Sequence, residues 1–292
     1  MIIDAHTHFY PSEISENPDI WADKRKEKYW ASLVGKRPDG KLSLQGFPSE
    51  KKFLSDMDDA GVERAIIQGW YWENPETCEE FNALISNLVR RHSDRLSAFA
   101  SVQPRFCKHS VEVAKHAKEQ GFCGIGELHD GVQRFSYLDE NFEKLAIACA
   151  EENLPICVHL TERTPRQYLG KVDTNFEEAF SSAKKYTSTN FIFAHWLGSE
   201  IFENPQNALD LFKNKNVFFD SSASPLLCKE DAWQKACNFA DWAIYGSDYP
   251  LRLYPRKFKV EEMRTIVDEA KRNIDKNCSE NFFRNNILKI IK

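Results

Sequence analysis

The sequence predicts a (β/α)8 TIM barrel, and three observations predict it. Eight short β-branched or aromatic runs alternate with amphipathic segments from one end to the other. The runs are mostly continuously apolar, as parallel strands covered on both faces are, rather than alternating in and out. At 292 residues the chain is close to the roughly 250 residues at which such barrels form one unit. Each parallel strand needs a crossover to reach the next, and the amphipathic segments supply it. An open doubly wound sheet has the same local pattern, so periodicity alone leaves that alternative standing.

In chain order, strands are expected at Ile2–His6, Ala65–Trp70, Leu96–Val102, Cys123–Leu128, Ile156–Leu160, Phe191–His195, Val217–Asp220 and Trp242–Gly246. Before the second strand, Ser49 is a suitable N-cap for a helix carrying Phe53, Leu54 and Met57, and Gly61 a suitable residue to close it. Across Glu76–His92, the residues Phe81, Leu84, Ile85, Leu88 and Val89 fall on one helical stripe. Asp139 opens a helix over Asn141–Asn153, and Pro155 prevents it from continuing.

One stretch breaks the rhythm. Residues 11–48 are polar, carry the run Asp23-Lys-Arg-Lys-Glu-Lys28, and contain Trp21, Tyr29 and Trp30. A connection this long inside a compact unit is a functional loop or a small insertion. We read it as a loop or helical insertion over the barrel mouth, within one domain spanning 1–292. The charge run reads as a solvated face, and the tryptophans as cover for a pocket.

Composition narrows the function. Hydrophobic residues at 42% and charged residues at 28% allow a large core and exclude disorder. A formal net charge of −5 argues against nucleic acid or an anionic membrane as partner. No apolar run approaches the roughly 20 residues of a membrane span, and the start, Met-Ile-Ile-Asp-Ala-His, lacks signal-peptide character. The expectation is a soluble, cytoplasmic protein, with a homodimer compatible with the fold. The eight cysteines are scattered with no Cys-x-x-Cys pair, so all are expected reduced, mostly as small buried residues.

The C-terminal ends of barrel strands are where reactive residues sit. Those ends carry His6 and His8, then Glu127 and His129, His159, His195, Asp220 and Asp248. His92, His109 and His116 fall in helices or loops and are expected to face solvent. His6 and His8 are two apart, so in extended backbone both rings leave one face and can grip one ion. His159 and Asp248 come from distant sequence but equivalent positions, and complete a set of imidazoles and carboxylate suited to Zn2+ or a similar divalent cation.

Four segments carry a resemblance to a known family: Asp4-Ala-His-Thr-His8, Val158-His-Leu-Thr-Glu162, Phe193-Ala-His-Trp-Leu-Gly198 and Tyr245-Gly-Ser-Asp-Tyr-Pro250. They resemble the amidohydrolase superfamily, in the branch that includes aminocarboxymuconate semialdehyde decarboxylase. Asp56-Met-Asp-Asp-Ala-Gly-Val62 and Ser279-Glu-Asn-Phe282 are similar to the same branch, so the likeness covers nearly the whole chain. It implies His6, His8, His159 and Asp248 as metal ligands. His195 would polarise the reacting group or bind a second metal, and Asp248 would take a proton from an activated water. A divalent ion brings such a water's pKa to about 7, a carboxylate in reach relays the proton, and an imidazole steadies the developing charge.

Glu127 stands in Gly124-Ile-Gly-Glu-Leu-His129, which resembles the strand-4 segment of TatD-type nucleases, where the Glu can bridge two metals. The other reading is a partner that orients a ligand histidine. No lysine stands at this strand end, which argues against a carbamylated-lysine bridge. One Zn2+ is the expected cofactor, with Mn2+ or a second ion as alternatives. For substrate contacts we single out Trp70, Tyr71 and Trp72 at the second strand's end, Arg252 after Pro250, and the family-like Tyr168 and Lys171. A lysine at 171 would hold a carboxylate.

The expected activity is metal-dependent hydrolysis of an amide, ester or lactone in a small organic molecule. The alternative is non-oxidative decarboxylation of an aromatic or muconate-type acid, with His195 donating the proton. A phosphoesterase would need two metals, and a non-catalytic binding module would have no use for the full ligand set.

Overall fold

The computed structural model describes residues 1–34, 43–163, 170–228, 231–252 and 262–291. Eight strands run in it: β1 (Ile3–Thr7), β2 (Arg64–Ile67), β3 (Leu96–Ala100), β4 (Phe122–Leu128), β5 (Ile156–Val158), β6 (Phe191–Phe193), β7 (Val217–Asp220) and β8 (Ala243–Ile244). They pair in sequence order, every pair parallel. Hydrogen bonds join the two ends of this order: the Ala5 N–H donates to the Tyr245 carbonyl and the Asp248 N–H to the His6 carbonyl, both at 2.9 Å. The sheet is therefore a barrel, and the doubly wound alternative falls away.

Seven of the strands send a residue into one buried cluster: Ile3 and Ala5, Ile66, Phe99, Cys157, Ile192, Phe218 and Ile244. Side chains from so many strands can meet only inside the barrel, which they fill. On β4 the interior position is Gly124, because a Cβ there would lie 2.5 Å from the Phe99 ring. A second, larger cluster seals the strands against the surrounding helices.

The helices follow their sequence signals. Ser49 caps Glu50–Ala60 by accepting the Lys52 N–H, and Gly61 closes it at φ 70°. Asp139 accepts the Phe142 N–H at the start of Glu140–Glu151. The stripe from Phe81 to Val89 lies on the helix Pro75–Arg91. His92, His109 and His116 pair with Glu50, Glu79, and Glu112 with Glu119. Only His116 is exposed; His92 and His109 are half-buried.

The stretch after β1 forms helices at Ser12–Ser15, Pro18–Arg25 and Lys28–Val34. Trp21 and Trp30 are buried against Trp72 at 5.1 and 5.5 Å. The charge run is solvated except at Arg25, which is half-buried over Trp21 and paired with Glu80, and at Glu27, which is buried and accepts the backbone N–H groups of Glu73 and Asn74. Turning inward satisfies two donors of the loop after β2, which a solvated glutamate would leave unpaired.

The expectation for the cysteines needs correction at one pair. Cys237 and Cys278 form a disulfide with Cα atoms 5.7 Å apart, while Cys78, Cys107, Cys123, Cys149, Cys157 and Cys228 are free. The two sit in segments flanking β8, and folding the C-terminal helices back against that strand brings them within bridging distance. A separation of 41 residues carries no local signal of it. Among the described residues no helix is long and apolar enough to cross a membrane.

Candidate metal centre

Strands β1, β4, β5 and β6, with the turn after β8, deliver six side chains to one end of the barrel. His6 and His8 meet with their Nε2 atoms 3.3 Å apart, so both rings converge as their spacing requires. Asp248 Oδ1 lies 3.4 Å from His8 Nε2 and 3.9 Å from His6 Nε2. On β4, Glu127 divides its oxygens. Its Oε2 is 3.6 Å from Nε2 of both His6 and His8. Its Oε1 is 2.9 Å from His159 Nδ1 and 3.6 Å from His195 Nε2. His195 Nε2 and His159 Nδ1 are 3.1 Å apart.

The six divide into two groups of donors, His6 with His8 and Asp248, and Glu127 with His159 and His195, each compact enough to hold an ion; His6 with Cys157 and Asp220 forms a third compact group. The four residues read as one ligand set are thus not equivalent: His159 joins the other three through Glu127. The donor set suits a divalent cation on its chemistry. Glu127 and Asp248 are buried, and among the described residues their ion pairs are with imidazoles. Neutral imidazole nitrogens and carboxylate oxygens are the ligands that Zn2+ and Mn2+ accept.

Electrostatics follow the packing. Burial works to raise Glu127, yet His159 and His6 hold its carboxyl well below the usual range. Burial likewise opposes ionisation of Asp248, and the His8 hydrogen bond with the nearby His6 outweighs it. His6 goes the other way: burial disfavours its charge, but Asp220 and Glu127 push it well above 6.5. His195 is pulled down by burial and by His159.

The other predicted contacts divide. Trp70 lies against His8, ring centroids 5.6 Å apart, and stacks on Tyr71 at 4.2 Å. Tyr71 also reaches His159 at 5.3 Å. Trp72 instead turns into the Trp21–Trp30 cluster with Phe81 and is fully buried there. The Lys171 ammonium lies 3.9 Å from Glu162, with side chains 3% and 9% exposed, so this lysine already has a carboxylate beside it. Arg252 is half-buried and its backbone N–H donates to the Leu44 carbonyl. Tyr168 lies outside the described residues.

Three features escaped the sequence reading. His129 stacks on His159 at 4.9 Å with its ring nearly parallel. Asp220, noted only as a strand end, accepts from His6 Nδ1 at 2.7 Å. Ser222, two residues on, touches His195 Nδ1 at 2.8 Å. An Asp-x-Ser at a strand's C-terminal end was the available signal, since residues two apart share a face.

A family model described as amidohydrolase matches residues 3–290. The chain belongs to the amidohydrolase family. No curated protein matches it in sequence. Among solved structures, a 5-carboxyvanillate decarboxylase from Novosphingobium aromaticivorans, with bound manganese, is similar at a TM-score of 0.71 and 16% identity over 99% of this chain and 96% of that one. A 2,6-dihydroxybenzoate decarboxylase from Rhizobium gives 0.68 and 16%, over 99% and 98%. A probable 2-pyrone-4,6-dicarboxylic acid hydrolase from Acinetobacter baumannii gives 0.66 and 14%, also over 99% and 98%. At these identities the likeness is one of fold.

Proposed function

We propose that the chain is a metal-dependent, non-oxidative decarboxylase of a small aromatic carboxylic acid. This reverses the order that the sequence suggested, in which hydrolysis came first. The observation that carries it is the aromatic wall on the donor cluster: Trp70 packs on His8 and Tyr71 on His159. A molecule reaching the cluster therefore lies against flat rings, and a planar aromatic acid gains stacking there. Two of the structures of similar fold are named for decarboxylation of hydroxylated benzoates, which supports the reading.

His6, His8 and Asp248 would hold one divalent cation, Mn2+ or Zn2+, with Glu127 Oε2 beside them and His159 braced through Glu127 Oε1. When bound, such a cation would supply positive charge that favours an anionic substrate and steadies negative charge developing on it. The chain's own groups do the rest. Trp70 and Tyr71 exclude water and orient the ring. Cleavage breaks the bond between carboxyl carbon and ring carbon; CO2 leaves, the electron pair stays on the ring carbon, and a proton closes the valence. His195, with Nε2 facing the cluster, would first take up a proton from solvent on that nitrogen and then deliver it to the ring carbon.

A second reading is favoured by Glu127 itself. Its Oε1 faces His159 and His195 as its Oε2 faces His6 and His8, so a second cation would make His195 a ligand, and hydrolysis with Asp248 as base would follow. Incubating the Mn2+-loaded protein with hydroxylated benzoic acids and with pyrone lactones separates the two. CO2 release from the acids, abolished in His195→Ala, is expected. Lactone opening with no CO2 from any acid would displace the first reading in favour of the second.

A further inference from the structure

We infer that Asp220, acting directly on His6 and through Ser222 on His195, fixes the ring tautomers of both histidines and so decides which nitrogen each presents to the cluster. Asp220 and Ser222 are thus positioning residues. The inference rests on the reading of the cluster as a cation site, and it holds whether His195 carries a proton or ligates a second ion.

The argument is an accounting of protons. Asp220 is buried at the end of β7, and an ionised carboxylate can only accept. Its Oδ2 lies 2.7 Å from His6 Nδ1, so that nitrogen carries the hydrogen and Nε2 is the one left to face His8 and Glu127. Its Oδ1 accepts the backbone N–H of Ser222 at 3.0 Å and of His195 at 3.1 Å. The Ser222 hydroxyl also contacts Oδ1, and since the carboxylate cannot donate, the hydroxyl must. Ser222 Oγ, its one proton committed, accepts at 2.8 Å from His195 Nδ1, which must then be the protonated nitrogen. Nε2 of His195 is left as the free lone pair, 3.1 Å from His159 and 3.6 Å from Glu127. A single carboxylate on one strand thereby sets the reactive nitrogens on two others. Such outer partners of ligand histidines typically govern metal affinity.

An asparagine at 220 cannot accept on both sides. With its oxygen toward His6, its NH2 meets three donors on the other side; with its NH2 toward His6, the His6 tautomer reverses. Zn2+ affinity of the full chain is measured by chelator competition for the wild type, Asp220→Asn, Ser222→Ala and Ser222→Thr. Histidine tautomers are read in the Zn2+-loaded proteins by 15N NMR. We expect Nδ1–H at both His6 and His195 in the wild type, and Zn2+ binding at least about tenfold weaker in Asp220→Asn. Ser222→Ala should change the His195 tautomer alone, and Ser222→Thr should restore it. Should Asp220→Asn fail to fold, the serine pair carries the test by itself. Wild-type affinity and unchanged tautomers in Asp220→Asn and Ser222→Ala would overturn the inference while leaving the cation site intact. Failure of the wild type to bind Zn2+ would remove both.

Discussion

Glu127 and His159 face each other at the C-terminal end of the barrel, Oε1 to Nδ1 at 2.9 Å. The other oxygen of the same carboxylate lies 3.6 Å from both His6 and His8. Glu127→Gln keeps the shape but leaves one acceptor where two are needed, and puts an NH2 against imidazoles. Cation affinity should fall by about tenfold or more, as losses of such partners do, without loss of secondary structure. Chelator competition alongside circular dichroism checks this; unchanged affinity would show Glu127 to be a bystander.

Gly246 lies against His6, and a Cβ on it would sit 2.6 Å from the His6 Cβ. Gly246→Ala should push His6 off its place opposite Asp220 and weaken cation binding, because ligand placement matters at the half-ångström scale. The rest of the barrel should still form. The discriminating pair of measurements is cation affinity, expected to drop, and thermal unfolding of the cation-free protein, expected to change by less than the loaded form.

From His195 to Ser199 the chain runs through five consecutive residues with φ between 57° and 71°, a left-handed turn that costs non-glycine residues roughly 1–2 kcal/mol each. Packing holds it: the Trp196 ring lies 5.5 Å from Trp233, and its Nε1 donates to Ser224 Oγ at 2.7 Å. The turn places His195 against Ser222 and Glu127, so the strain serves the site. At Ser199, φ 71°, glycine would adopt the same backbone freely. Ser199→Gly should stabilise the protein by about 1 kcal/mol, read as a higher denaturation midpoint at unchanged slope. A lower midpoint would mean the turn is not strained there.

Buried Glu27 accepts from Glu73 and from both the backbone and side chain of Asn74. Burial raises its pKa above 4.5, against the pull of these hydrogen bonds. The folded chain therefore holds this proton more tightly than the unfolded one. The group's contribution to stability is greatest below pH 4.5 and declines as pH rises to its folded value. Glu27→Gln has no such proton. Its stability relative to the wild type should rise with pH across that window and be flat on either side, whatever constant offset the lost acceptor adds. Denaturant titrations from about pH 4 to about pH 8 test it; a pH-independent difference would contradict the assignment.

Much of this was legible in the sequence because periodicity and strand ends are local. All eight strands were found, although β2, β3, β5, β6 and β8 end earlier than expected, at Ile67, Ala100, Val158, Phe193 and Ile244. Beyond those points the backbone leaves the sheet to carry Trp70, His195 and Asp248. Residue spacing brought His6 and His8 together correctly, but it could not say that His159 lies with Glu127 and His195. That grouping depends on the register of β4 against β5, which shifts between Ile125 and Leu128. Trp72 was misplaced for a similar reason: rings at positions 70 and 72 looked equivalent, yet the insertion after β1 offers Trp21 and Trp30 as a better apolar partner. The Cys237–Cys278 bridge is a product of tertiary folding with no local signature, and of the Asp220–Ser222–His195 chain only the Asp-x-Ser spacing at the end of β7 is local.

The most direct test of the account is the cation content of the protein. After exposure to Mn2+ and removal of excess, elemental analysis should find one tightly held divalent ion per chain, with His8→Ala losing it. A wild-type protein that retains none, though folded, would contradict the reading of this histidine–carboxylate cluster as a metal centre.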